Sequence, residues 1–254
     1  MFPFLTNQNQ KNGLQYDNIM KISLIIPAYN EEKYIGACLE SVMRNGAGLF
    51  EIIVVDNKSA DDTLDIVKSF PNIKIAHEPQ KGPTRARQRG VIESNGDVIA
   101  FIDADTKMPE GWVDMISDTF SKNPRVVCLS GPYIYENISW IKKFSVDLYY
   151  LLALPVYYLT GYMATAGNLV ARKSALLEIN GFDTSINFYG DDTHIAKQLH
   201  NVGKVLFLRK FFIYTSPRRF NKEGVFLTAY HYIINFFSVV FRNKPATRNY
   251  TDIR

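Results

Sequence analysis

The chain has 254 residues, 46% of them apolar and 21% charged, with 29 basic and 25 acidic side chains and a net charge of +4. That apolar fraction excludes a wholly disordered chain, and the length suits one α/β sheet covered by helices on both faces. The near balance of charge excludes a dedicated nucleic-acid binder, whose basic excess is larger and gathered on one face, but it leaves room for a local site for a phosphorylated ligand.

Residues 1–20 are rich in Asn and Gln and contain no seven-residue apolar run. They read as a flexible lead-in rather than a secretory signal, with the domain proper expected over 21–220. LysIleSerLeuIleIlePro (21–27) is an apolar run ending at proline, as in a buried parallel strand. Over 32–44, Ile35, Cys38, Leu39 and Val42 recur at the spacing of one helix face. GluIleIleValValAsp (51–56) predicts a second buried strand, and 61–70 a helix with acidic residues in its first turn. A short strand at 73–77, a helix around 84–94 and a strand at 97–102 complete the alternation. A last strand is expected over 204–214. Cys38 and Cys128 each lie in an apolar stretch, so they read as plain buried thiols in a reducing, cytosolic setting.

Strands alternating with helices imply parallel βαβ units and a doubly wound, mostly parallel sheet, in which ligands bind at the carboxyl ends of the strands. Three such ends carry polar groups: Pro27-Ala28-Tyr29-Asn30-Glu31, Asp56-Asn57 and Asp103-Ala104-Asp105. Two carboxylates one residue apart can share a hard cation that also bridges two phosphates. No glycine-rich loop follows the first strand, which argues against a nicotinamide dehydrogenase and a sugar nucleotidyltransferase. A non-catalytic sugar-nucleotide-binding protein remains a second reading.

ProAlaTyrAsnGluGlu (27–32), ValValAspAsnLysSerAlaAspAspThr (54–63), the stretch from Gly82 to Gly90 and PheIleAspAlaAspThr (101–106) resemble the family 2 inverting glycosyltransferases. So do GlyAsnLeuValAlaArgLysSerAlaLeuLeuGluIleAsnGlyPheAsp (167–183) and GlyAspAsp (190–192), so that the resemblance covers about 20–220. It implies a GT-A fold, a nucleoside-diphosphate sugar donor and a divalent Mg²⁺ or Mn²⁺. Pro27, Ala28, Tyr29 and Glu31 would line the base and ribose pocket, and Asp56 would contact nucleobase or ribose. Gly82 and Arg87 would lie near the donor phosphates. Asp103 would face ribose or metal, and Asp105 would bind the metal. Asp191 and Asp192 match the family's Gly-Glu-Asp segment, whose second acid is the base, here Asp192; helix capping is the other use of the pair. Displacement at the anomeric carbon independently needs a base opposite the leaving diphosphate. No Gln-x-x-Arg-Trp segment of the processive synthases is present, which implies one sugar per acceptor.

Arg218 and Arg219, in SerProArgArgPhe (216–220), read either as a solvated basic loop or as a flap reaching the diphosphate. Two aromatic-rich segments remain, 144–163 and 225–241. An active site with Asp105 before the first segment and Asp192 after it cannot be divided across a bilayer. The second, flanked by Arg218, Arg219, Lys222, Arg242, Lys244 and Arg248, is short for a span. Both fit interfacial helices that hold the chain on a membrane's cytoplasmic face beside a lipid-linked acceptor, and both fit core helices equally. The region 221–254 is accordingly expected to be an apolar helix with a basic tail.

Overall fold

A computed structural model describes residues 20–136, 138–186, 189–242 and 244–247. The lead-in up to residue 19 and the end of the basic tail, Arg248 included, lie outside the described residues. The main sheet is built from β1 (Ile22–Ala28), β2 (Glu51–Asp56), β3 (Ile73–His77), β4 (Val98–Ile102), β6 (Val126–Ser130), β8 (Asn168–Arg172) and β9 (Lys204–Phe207), with helices between them. These are α1 (Ile35–Asn45), α2 (Thr63–Lys68), α3 (Pro83–Glu93), α4 (Trp112–Lys122), α5 (Trp140–Thr160), α6 (Lys173–Glu178) and α7 (Asp191–Val202). Strand order is β3-β2-β1-β4-β8-β6-β9. All pairings are parallel except those of β8 with β4 and β6. This is the mostly parallel α/β architecture that the alternation predicts.

The strands are apolar on both sides because helices cover both faces. One core layer joins Leu24, Ile26 and Val54 to Ile35, Cys38, Leu39 and Val42 of α1 and to Trp112 of α4. The opposite layer joins Ile25, Ile53 and Phe101 to Ala86 and Val91 of α3 and to Ile195 and Leu199 of α7. Both cysteines are buried and free, and burial alone pushes the Cys128 thiol up to about 12.

Two expectations shift. The helix predicted from Asp61 begins at Thr63, because the Asp61 carboxylate turns back to accept from the N–H and hydroxyl of Thr63 and the N–H of Glu32. The single strand expected over 204–214 is two strands in different sheets, β9 and β10 (Ile213–Thr215). The chain folds over between them so that Phe211 is fully buried, stacked on Trp112 at 5.1 Å. β10 joins β5 (Thr106–Lys107) and β7 (Tyr133–Tyr135) in a small three-stranded sheet above the carboxyl edge of the main one. Two helices follow, α8 (Arg218–Glu223) and α9 (Val225–Arg242). Among the described residues, no helix is long and apolar enough to cross a membrane.

Candidate functional site

The ends of β1 and β4 open into one cavity, together with the start of α7, one face of α3 and the segment after β10. Pro27, Ala28, Tyr29, Glu31, Arg87, Asp103, Asp105, Asp191, Asp192, Arg218 and Arg219 all line it. Asp56 and Gly82 stand just off its wall. The Asp56 carboxylate accepts from the Ser59 N–H at 3.1 Å and faces His77 at 3.4 Å. The Gly82 N–H donates to Asn57 Oδ1, while the Asn57 amide nitrogen holds the carbonyls of Glu78 and Gln80. Asn57 thus ties the β2 end to the approach to α3, and it is Asn57 that reaches the cavity.

Arg87 is the hub. It emerges from α3, 5% exposed, and donates from Nη2 to Asp103 Oδ1 at 2.7 Å and from Nη1 to Asp191 Oδ2 at 2.8 Å. Burial opposes its charge, but Asp103 and Asp191 outweigh burial and hold it protonated. Its Nε has no hydrogen-bond partner among the described residues. The second oxygen of Asp103 accepts from the Tyr133 hydroxyl at 2.8 Å, and that hydroxyl accepts from the Gly167 N–H at 3.0 Å. Burial first, and then the Asp103 charge, push the Tyr133 phenol well above its ordinary range, so it stays a donor. Only glycine fits at 167, because a Cβ there would overlap the Asp103 carboxylate and the Tyr133 hydroxyl.

Arg218 closes the other side. Thr106 of β5 pairs with Thr215 of β10, which delivers Arg218 over Asp105. Its two terminal nitrogens grip both Glu31 oxygens at 2.6 and 2.7 Å, and Nε reaches Asp105 Oδ2 at 2.8 Å. Arg219 instead turns to Glu223 at 2.8 Å, beside the Tyr189 hydroxyl. Asp103 and Asp105 are hard oxygen donors one residue apart, each balanced by a guanidinium, and this donor set would suit a divalent cation only with further ligands from a bound diphosphate and water. Among the described residues, no group of three or more His, Cys, Asp or Glu side chains is arranged to hold a metal without such help.

Asp191 and Asp192 open α7 after Gly190, whose φ of 85° is left-handed. Burial pushes both carboxyls above the ordinary aspartate range. Arg87 counters this at Asp191, and the N–H and hydroxyl of Thr193 counter it at Asp192. Of the two, Asp191 alone carries an arginine hydrogen bond among the described residues; Asp192 Oδ1 accepts from the Thr193 N–H at 2.7 Å.

Tyrosines line much of the rest of the cavity: Tyr135 of β7, Tyr149 and Tyr150 of α5, Tyr189, and Tyr232 of α9, alongside Met163, Ala164 and Thr228. Sequence reasoning assigned none of these to the site, nor Tyr133. The aromatic richness of 144–163 and 225–241 was the available signal, but it does not say which face turns inward.

A glycosyl transferase family 2 model matches residues 23–179. The glucosyl-dolichyl phosphate glucuronosyltransferase of Haloferax volcanii is 24% identical over 187 residues, covering 68% of this chain and 59% of that protein. The chain spans less than two thirds of the length of the first curated relatives it matches. Among solved structures, the mannosyltransferase PcManGT of Pyrobaculum calidifontis, in complex with GDP-Man and Mn²⁺, superposes with a TM-score of 0.69 at 18% identity, covering 90% of this chain and 66% of that one. Glucosyl-3-phosphoglycerate synthase of Mycobacterium tuberculosis, with Mn²⁺ and UDP-glucose, superposes with a TM-score of 0.63 at 19% identity, covering 90% and 81%. These two show the shared fold.

Proposed function

The chain belongs to glycosyl transferase family 2, and from that premise we propose that it moves one sugar from a nucleoside-diphosphate sugar to an acceptor hydroxyl with inversion, as a hexosyltransferase. The observation that carries the reading is the convergence of Glu31, Asp103, Asp105 and Asp192 on one cavity at the carboxyl edge of the sheet. Pro27, Ala28, Tyr29 and Glu31 take the nucleoside, with Asp56 and Gly82 shaping the loops behind it. Arg87 holds Asp103 and Asp191 in register. Arg218 brings positive charge to the donor half, where the diphosphate lies, and Arg219 would reach it only by leaving Glu223.

A Mg²⁺ or Mn²⁺ ion bound through Asp105 and Asp103 would neutralise charge growing on the departing diphosphate. Asp192 acts as general base. The acceptor oxygen bonds to the anomeric carbon as its proton passes to the Asp192 carboxylate. The bond from that carbon to the diphosphate breaks on the opposite face, and the diphosphate leaves with the electron pair. Inversion follows from this in-line geometry.

The acceptor occupies the tyrosine-walled half. A lipid-linked acceptor, used from the cytoplasmic face of a membrane, agrees with those walls and with the dolichyl phosphate in the name of the Haloferax relative. The test is turnover with UDP- and GDP-sugars and Mn²⁺. Release of nucleoside diphosphate coupled to sugar transfer supports the proposal. Binding without turnover would leave a sugar-nucleotide-binding protein, and release of pyrophosphate from a nucleoside triphosphate would mark a nucleotidyltransferase.

A further inference from the structure

α9 turns an apolar stripe outward, although its inner face, where Val239 is fully buried, also packs on the domain. Its polar Thr228 and Asn235 are 1% exposed, turned toward the domain. Asn235 is tied to the His231 carbonyl and to Thr247. Leu227, Tyr230, Ile233, Phe237 and Phe241 recur at steps of three and four on the outside, Phe241 being 78% exposed. An apolar stripe turned outward over about four helical turns is not what a water-facing helix presents.

α5 repeats the pattern. Trp140, Phe144, Leu148, Leu151 and Leu159 follow one face of a 21-residue helix and are exposed, Leu159 at 87%. At about 1.5 Å per residue this stripe is roughly 31 Å long. The inner faces of the same two helices supply Tyr149, Tyr150 and Tyr232 to the aromatic half of the cavity. Lys142 donates to Asn221 and so joins the start of α5 to α8, just before α9. Elsewhere the large exposed apolar side chains are scattered singly, as at Met43, Phe50 and Ile92.

The charges around the stripes are mainly basic. Lys143 and Lys222 lie at one end, Arg242 and Lys244 at the other, and all four are exposed. α9 contains no acidic residue, and the exposed acid of α5, Asp147, faces Lys143 at 3.6 Å. Apolar stripes edged by lysine, arginine and aromatic residues complement the headgroup boundary of an anionic bilayer.

We infer that the outer faces of α5 and α9 form a membrane-docking surface that lies in the plane of an anionic bilayer. The inference rests on reading the tyrosine-walled half as the acceptor site, and it makes the acceptor an amphiphile whose head enters between α5 and α9 while its tail stays in the lipid.

The test is vesicle flotation of the full chain. Vesicles of phosphatidylcholine with phosphatidylglycerol should carry the protein upward, phosphatidylcholine alone should carry less, and high salt should release only part. Replacing exposed leucines with Leu151→Glu, Leu152→Glu and Leu159→Glu together should cut flotation about tenfold or more, because charge cannot enter the apolar boundary. Phe237→Glu with Phe241→Glu should do the same. Nucleoside diphosphate binding, measured without vesicles, should stay unchanged in both variants. A wild-type chain that stays at the bottom, or variants that float equally well, would overturn the inference. So would a dimer dissolved by the same substitutions, which would give the stripes to a second copy. Loss of nucleotide binding in the wild-type chain itself would instead strike the donor reading, so the two failures are distinct.

Discussion

Arg87 donates to Asp191 Oδ2 at 2.8 Å, while among the described residues no arginine hydrogen-bonds the neighbouring Asp192. Two adjacent aspartates are thus chemically unlike. One is half of a buried ion pair, and the other faces the cavity with one oxygen on Thr193. Burial raises both carboxyls, so the division rests on geometry: Arg87 occupies an oxygen of Asp191 and fixes it in place, which makes Asp191 the positioning acid and Asp192 the base. Asp192→Asn is expected to lower transfer by about 10²–10⁴-fold with nucleoside diphosphate affinity retained. Asp191→Asn should instead lower the melting temperature more, because it takes the charge from a buried partner of Arg87. Single-turnover rates and thermal melts on both variants check the division; equal rate losses would contradict it.

How much of this was legible in sequence varies residue by residue. The strand ends were, because continuous apolar runs mark the buried strands and the polar residues closing them fall at one edge. Arg87 was placed in the site, but its burial was not foreseeable: α3 reads ProThrArgAlaArgGlnArgGlyValIleGlu, a charged surface helix by composition. Its partners lie 16 and 104 residues away, so only the fold supplies them. Tyr133 was invisible for the same reason, since its role depends on the Gly167 N–H and the Asp103 carboxylate meeting at one hydroxyl. The break between β9 and β10 carries no Gly or Pro in LeuArgLysPhePhe (208–212). It follows from Phe211 seeking Trp112, which no local signal reports.

The acid limb of the rate profile should lie above the ordinary aspartate range. Burial raises the Asp192 carboxyl, and the base must be ionised to take a proton, so rate falls as pH drops through that raised value. In Asp191→Asn a neighbouring negative charge is gone, ionisation of Asp192 becomes easier, and the limb should move to lower pH. A profile of kcat against pH for the wild type and for Asp191→Asn measures both. A limb that shifts upward in the variant would contradict the coupling.

Donor binding should depend on a divalent cation. Nucleoside diphosphate affinity, measured by calorimetry or thermal shift, is expected to fall strongly with EDTA and in Asp105→Ala, because the diphosphate would then lose the cation that Asp105 and Asp103 would hold. Unchanged affinity in both conditions would remove the metal from the donor site.

Tyr133→Phe removes one hydroxyl and little else. Asp103 Oδ2 and the Gly167 N–H each lose this partner, and losing a part-buried hydrogen bond of this kind costs about 1–3 kcal/mol. The change should lower the melting temperature and loosen Asp103, weakening donor affinity more than it slows the bound complex. KM against kcat separates the two effects; a kcat loss with unchanged KM would place the hydroxyl in the chemical step instead.

Arg218 ties the last part of the site to the first, since it alone bridges Glu31 and Asp105 among the described residues. The side chains of Glu31 and Asp105 are 2% and 11% exposed, so Arg218→Ala leaves two nearly buried carboxylates without their guanidinium. Breaking a buried pair in this way costs about 3–5 kcal/mol, and lysine cannot replace the fork because an ammonium does not grip both Glu31 oxygens while reaching Asp105. Both Arg218→Ala and Arg218→Lys are therefore expected to melt well below the wild type. A cation drawn to Asp105 would restore part of the missing positive charge. The deficit in melting temperature should accordingly shrink when Mn²⁺ and a nucleoside diphosphate are added, and shrink less with the nucleotide alone. A deficit that is the same with and without Mn²⁺ would mean that the cation does not compensate Asp105, and that the carboxylates Arg218 covers belong to the scaffold.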